Sequence, residues 1–262
     1  MQLVDIGANL AHPAFHGDLP EVLARAGAAG VASIIVTGTS VAESLHALKT
    51  ANDHPGRIRA TAGVHPHHAS ECDASTIPAL RVLARHPQVV AIGECGLDFN
   101  RNYSPHPDQE KWFLAQLELA IEVSKPLFLH SRDAFPRFSD LISEHKNKLP
   151  RAVAHCFTGD KAELHAYLDL GLYIGITGWI CDERRGAHLV ELVRDIPADR
   201  LMLETDSPYL TPRDMRPQPK ARRNEPAHLP HILRAVARAV GKPAEQLAAE
   251  TTRNARTFFG LP

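Results

Sequence analysis

Short apolar runs alternate with longer amphipathic ones along the whole chain. The runs "LVDIG", "ASIIVTG", "IRATAGV", "VVAIGE", "PLFLH", "RAVAHCF", "LYIGITG" and "RLMLETD" are rich in Val, Ile, Leu and Ala, as strands covered on both faces are. Between them, "DLPEVLARAGAAG" closes on glycine, as a helix C-terminus does. "SPHPDQEKWFLAQLELAIEVSK" opens with proline and acidic residues and then repeats apolar positions at helical spacing. "DKAELHAYLDLG" and "RGAHLVELVRDIP" follow the same pattern. "NEPAHLPHILRAVARAVG" predicts a C-terminal amphipathic helix whose Leu229, Ile232, Leu233, Val236 and Val240 face the core, with His228 and His231 on its surface or in its packing. Eight strands, each followed by helical sequence at roughly 30-residue spacing, predict an α/β fold: a (β/α)8 TIM barrel with that helix packed on it. A doubly wound open sheet is the alternative, but no GxGxxG turn supports a nucleotide-binding version. Nothing divides the chain, so 1–262 is expected to be one domain. The proline-rich "SPYLTPRDMRPQPKARRNEPAHLP" is expected to be a long loop after the last strand.

Composition narrows the partners. With 262 residues, 44% hydrophobic and a net charge of −1, the chain can bury a large core but has no global basic field. Any nucleic-acid contact must come from a local cluster. Cys72, Cys95, Cys156 and Cys181 are scattered without a CxxC pair, which suits a reduced cytoplasmic protein better than a disulfide scaffold. The N-terminus does not read as a signal peptide, and no apolar stretch approaches the roughly 20 residues of a membrane helix. A monomer without membrane attachment is expected.

Chemistry gathers at the strand ends. The third strand runs into His65 and His67, the fourth into Glu94, the fifth into His130, the sixth into His155, and the eighth into Glu204 and Asp206. Each has a structural explanation taken alone: Glu94 could pair with Arg132, and Asp206 could cap the turn at Ser207-Pro208. In a (β/α)8 barrel, however, the C-terminal strand ends form the active site. Glu94, His130, His155 and Asp206 are the donors a hydrolytic divalent-metal site needs. Two imidazoles suit Zn2+ or Mn2+, whereas Mg2+ prefers oxygen.

The stretches "GVHPHH", "AIGECGLDFNRNY", "PLFLHSRDA", "HCFTG", "YIGITGWICDERRG", "LETDSPYLTPR" and "RRNEPAHLPHI" resemble, in order, the TatD-type metal-dependent deoxyribonucleases, within the wider metal-dependent hydrolase barrels. "GWICDERRG" and "DIGANL" are most similar to the TatD branch of that family. The first strand departs from the family at large, which has Asp-x-His-x-His there; here Gly7 and Asn9 replace the histidines, as they do in that branch. The resemblance implies a Mg2+-dependent 3′–5′ exonuclease of single-stranded DNA and RNA, in DNA repair or nucleic-acid degradation. It implies a metal held by Glu94, His130 and His155, with Asp206 activating water and Glu94 sharing in catalysis. His65 and His67 are expected on the phosphate or leaving oxygen, and Asn9, Glu204, Asn224 and Glu225 bracing the site.

Substrate grip is expected from Arg132, from Trp179, Arg184 and Arg185 in "WICDERRG", and from Lys220, Arg222 and Arg223 in "KARRNEP". Arginine pairs with phosphate and an exposed aromatic stacks on an unpaired base. Against this, Arg184 and Arg185 could pair with Asp182 and Glu183, and Trp179 could pack under its loop. Two rival functions fit the same sequence: a D-aminoacyl-tRNA deacylase on the same barrel, and a catalytically weak nucleic-acid-binding or quality-control protein.

Overall fold

The structure is a computed structural model that describes residues 2–219 and 222–262. The strands are β1 (Leu3–Ala8), β2 (Val31–Val36), β3 (Ile58–Ala62), β4 (Val89–Asp98), β5 (Leu127–Arg132), β6 (Ala152–Ala154), β7 (Tyr173–Ile176) and β8 (Leu201–Leu203), following chain order in one sheet. The helices are α1 (Leu19–Ala28), α2 (Val41–Asp53), α3 (Thr76–Ala84), α4 (His106–Val123), α5 (Arg137–His145), α6 (Lys161–Asp169), α7 (Leu189–Leu192), α8 (Leu229–Val240) and α9 (Ala244–Phe259). Parallel strands in chain order, alternating with helices, are the topology of the (β/α)8 barrel. All eight apolar runs read from the sequence are strands.

The chain divides into two compact units. One comprises the residues up to Val36, Cys156–Asp160 and the residues from Ile174 on; the other comprises Thr37–His155 and Lys161–Tyr173. In the first, β1 pairs with β2 and β7 with β8, all parallel, and Ala8 bridges Ser207 after β8. The C-terminal helices cover this unit: Ile232, Leu233 and Val236 of α8 and Phe258 of α9 are fully buried, whereas Val240 is only half-buried. Asn254 of α9 donates to the Leu201 carbonyl at 2.8 Å, which fixes that helix to the start of β8.

In the second unit β3 to β6 pair in parallel. Its core holds Ile92, Leu97, Phe128 and Leu129 from the strands, with Phe113 of α4 stacked on Phe138 of α5 at 5.5 Å.

Two sequence expectations need correction. "RGAHLVELVRDIP" forms only the one-turn α7 followed by a 3-10 turn. Leu189 and Val190 already bond three residues back, to Gly186 and Ala187, and Pro197 closes the segment. The C-terminal sequence also carries α9 after α8. Its pattern is harder to read because Thr251, Thr252 and Asn254 occupy buried positions.

Candidate metal centre and its surroundings

The departure of β4 from a regular strand builds the centre. Gly93 pairs with Phe128 and Cys95 with Leu129, so Glu94 is an extra residue in the ladder. A bulge of this kind re-aims one side chain. The Glu94 amide is satisfied instead by the Gly38 carbonyl, at 2.8 Å. Gly93 and Gly96 take φ of 133° and 147°, conformations only glycine adopts at low cost. A β-carbon on them would also run into the carbonyls of Phe128 and His130.

What meets Glu94 is imidazole. His155 Nε2 lies 2.7 Å, His130 Nδ1 3.0 Å and His65 Nε2 3.2 Å from the same oxygen, Oε1. Burial alone would raise the Glu94 pKa, but the neighbouring imidazoles of His155 and His65, with hydrogen bonds from His130 and His155, hold it well below the usual carboxylate range. Burial takes His65 the other way, down to about 4 despite Glu94 beside it, so its ring is neutral at pH 7.

Asp98, at the end of the same strand, is the second anchor. Its Oδ2 accepts from His67 Nε2 at 2.7 Å and lies 3.4 Å from His130 Nε2. Its Oδ1 accepts the amides of Asn100 and Arg101 at 3.0 and 2.8 Å. Burial opposes its ionisation, but the hydrogen bonds from His130, His67 and the Arg101 amide leave its pKa far below normal. His130, caught between Asp98 and Glu94, is pulled down by burial but raised on balance by those two carboxylates.

These residues fit a divalent cation. A single carboxylate oxygen has two lone pairs, and three imidazole nitrogens converge on it. His130 Nε2 is buried and only loosely held, 3.4 Å from Asp98 Oδ2. His65, Glu94 and His130 each present a donor atom within 4.8 Å of the others. A set of imidazole nitrogens and carboxylate oxygen suits a borderline cation. The structure thus brings together the predicted Glu94, His130 and His155. It adds His65 at the carboxylate itself and ties His67 to Asp98. Asp98 was missed from sequence; the available signal was a second acid four residues along the same strand.

In the other unit, Asn9 donates from Nδ2 to Asp206 Oδ1 at 3.0 Å, so the residue in place of a family histidine orients that carboxylate. Glu204, fully buried, accepts the Cys156 amide. Asn224 donates to the Thr205 carbonyl at 2.8 Å and accepts the Glu225 amide at 3.0 Å, while Glu225 pairs with Arg25 at 2.7 Å. Asp5 is buried under Thr205, accepting its amide at 2.9 Å and its hydroxyl at 2.6 Å.

Most of the expected gripping residues already have partners. Arg184 and Arg185 both reach Asp182, at 3.3 Å, and the Arg185 guanidinium lies 4.3 Å over the Trp179 ring. Arg223 forks onto Asp18 at 2.7–2.8 Å and donates to the Ala14 carbonyl. Arg222 is exposed. Arg132 ends β5, where its carbonyl accepts the Phe99 amide at 2.9 Å. Lys220 lies outside the described residues. A further convergence, of Cys181, Asp214 and His231, satisfies itself: His231 Nε2 is 2.6 Å from Asp214, which also accepts from the Cys181 thiol.

Comparisons with known proteins place the chain in a family. Residues 4–260 match the family of TatD related DNases. A protein of Klebsiella pneumoniae named 3′-5′ ssDNA/RNA exonuclease TatD is 54% identical over 259 residues, 99% of this chain and 98% of that one. Its namesake in Pantoea vagans is 55% identical, over 99% of this chain and all of that one. Among solved structures, the TatD homologue YJJV of Escherichia coli superposes with a TM-score of 0.90 at 28% identity, covering 99% of this chain and 98% of that one.

Proposed function

Because the chain belongs to the TatD related DNase family, we propose that it is a metal-dependent exonuclease that trims single-stranded DNA and RNA from the 3′ end. That it is a TatD-type nuclease, a hydrolase acting on nucleic acid, follows from the family and the named relatives. The direction and the single-stranded substrate are inferred from those relatives. The observation that carries the reading is the convergence of three imidazoles, of His155, His130 and His65, on the single oxygen Glu94 Oε1.

In this reading Glu94, His130 and His155 hold the cation, with His65 close enough to join them. A divalent ion bound there supplies Lewis-acid polarisation of the scissile phosphate and acidifies a water. The residues do the rest. Asp98 fixes the ring orientations of His130 and His67, the support that ligating histidines ordinarily receive from a carboxylate. With Nε2 committed to Asp98, His67 donates to a phosphate oxygen from Nδ1 when its ring carries both protons. Asp206, oriented by Asn9, keeps the role of proton acceptor that the family resemblance assigns it. Magnesium is the proposed cation on that resemblance, and the imidazole-rich donor set makes manganese and zinc the informative comparisons.

We place the enzyme as a monomeric single catalytic domain in the cytoplasm, acting in DNA repair or nucleic-acid turnover. Four scattered cysteines without a CxxC pair support a reducing compartment, and no helix among the described residues is long and apolar enough to cross a membrane.

The test is a time course on a 5′-labelled single-stranded oligonucleotide with magnesium, manganese, zinc or chelator. A ladder shrinking from the 3′ end, abolished by chelator, is expected. Intact strands with every cation, or release of amino acid from charged tRNA in their place, would reject the reading.

A further inference from the structure

The sequence pointed to Trp179 as the base-stacking aromatic, but its ring is covered by Arg185. Another aromatic is open. Tyr103 is 64% exposed, on the loop that leaves β4 just beyond Asp98. Its ring stands edge-on to His67, with centroids 4.8 Å apart and planes at 79°. His67 in turn is held by Asp98, and Asp98 neighbours His130. Tyr103 is therefore one imidazole away from the metal centre.

Its backbone is fixed on both sides. Asp98 Oδ1 takes the amides of Asn100 and Arg101 before it. Ser104, fully buried after it, donates to the His67 carbonyl at 2.9 Å, and its own carbonyl accepts from Gln109 at 2.9 Å. The nearby Phe99 ring is already stacked on His106 at 3.7 Å. An exposed aromatic on a rigid loop costs apolar contact with water and loses little entropy on binding.

We propose that Tyr103, backed by His67, is a nucleobase-stacking subsite that seats one unpaired base of the substrate beside the scissile phosphate. This rests on the exonuclease reading and adds to it where the strand is gripped. Every base has a π-face, so stacking there is sequence-tolerant, and it requires a base free of its complement. The subsite thus gives a physical reason for preferring single strands on a protein whose net charge is only −1.

The test combines Tyr103→Ala with single-stranded oligonucleotides carrying one abasic nucleotide at each of the last few 3′ positions in turn. Tyr103→Ala should raise KM about tenfold, the size of one lost stack, with kcat little changed; Tyr103→Phe should behave as wild type. At one position the abasic substitution should cost the wild type that same factor and cost Tyr103→Ala nothing. Equal abasic penalties in both proteins at every position, or a fall in kcat without a change in KM, would overturn the subsite. Binding read by fluorescence in chelator, using Tyr103→Trp, keeps the two readings separable: base-dependent quenching supports the subsite even if no strand is cut. Absence of base-dependent quenching rejects it even if cleavage is normal.

Discussion

Two buried carboxylates, Asp5 on β1 and Glu94 on β4, meet the same problem with opposite solutions. Asp5 is surrounded by backbone and hydroxyl donors, yet burial raises its pKa to about 8, in spite of the Thr205 hydrogen bonds and with Glu204 adding to the rise. It is held as a structural group that tolerates being neutral. Glu94 is met by three imidazoles and remains ionised. The difference is one of partner chemistry: hydroxyl and amide donors close a carboxylate off, whereas imidazoles leave nitrogen lone pairs that can turn toward a cation. Burial alone therefore does not distinguish a site from a brace.

The largest effect that would test this contrast is on Glu94. Glu94→Ala removes the oxygen on which the imidazoles converge, and hydrolysis should fall about a thousandfold or more, since a Lewis-acid metal accounts for several kcal/mol; the far-ultraviolet circular dichroism should be unchanged. Near-normal cleavage would reduce Glu94 to a second Asp5.

Asp98→Asn should lower metal affinity by about 10- to 100-fold, as loss of a carboxylate behind a ligating histidine does. Calorimetric titration with manganese measures it, and unaltered affinity would detach Asp98 from the centre.

Asp5 gives a smaller effect, on stability rather than activity. Between about pH 4 and about pH 8 the unfolded chain has given up a proton that the folded protein keeps at Asp5. Its contribution to stability is therefore greatest in acid and declines as pH rises through that window. Asp5→Asn should flatten this part of the pH profile of the urea midpoint, and an unchanged slope would show that Asp5 is ionised after all.

Smallest of all should be Arg184→Ala, whose exposed pairing with Asp182 is worth little; KM for single strands should change by less than about threefold. A tenfold rise would restore that loop as the main grip.

The sequence made most of this legible for a simple reason. Strands buried on both faces are apolar runs, and a lone acid or histidine where such a run ends stands out, as at Glu94, His130 and His155. The family resemblance carried the activity further than residue chemistry alone could. What escaped depends on relations between segments. Nothing local distinguishes His65 from His67, yet the fold turns one to Glu94 and the other to Asp98. The nearest carboxylate to Arg223 is Asp18, 205 residues away, at 2.7 Å against 3.6 Å for Glu225 within "RRNEP", so its main engagement cannot be read from that segment. Asp98 escaped because its role spans segments: the same carboxylate caps the amides of Asn100 and Arg101 and meets the rings of His67 and His130.

The bulged strand has a last consequence. The carboxylate on which the proposed chemistry depends is aimed by neighbours that contribute no side chain, Gly93 and Gly96, nestled against the next strand's carbonyls. The proposed centre could be disabled without losing any donor atom: one methyl group at either glycine would wedge the two strands apart and leave a full complement of candidate ligands pointing past one another.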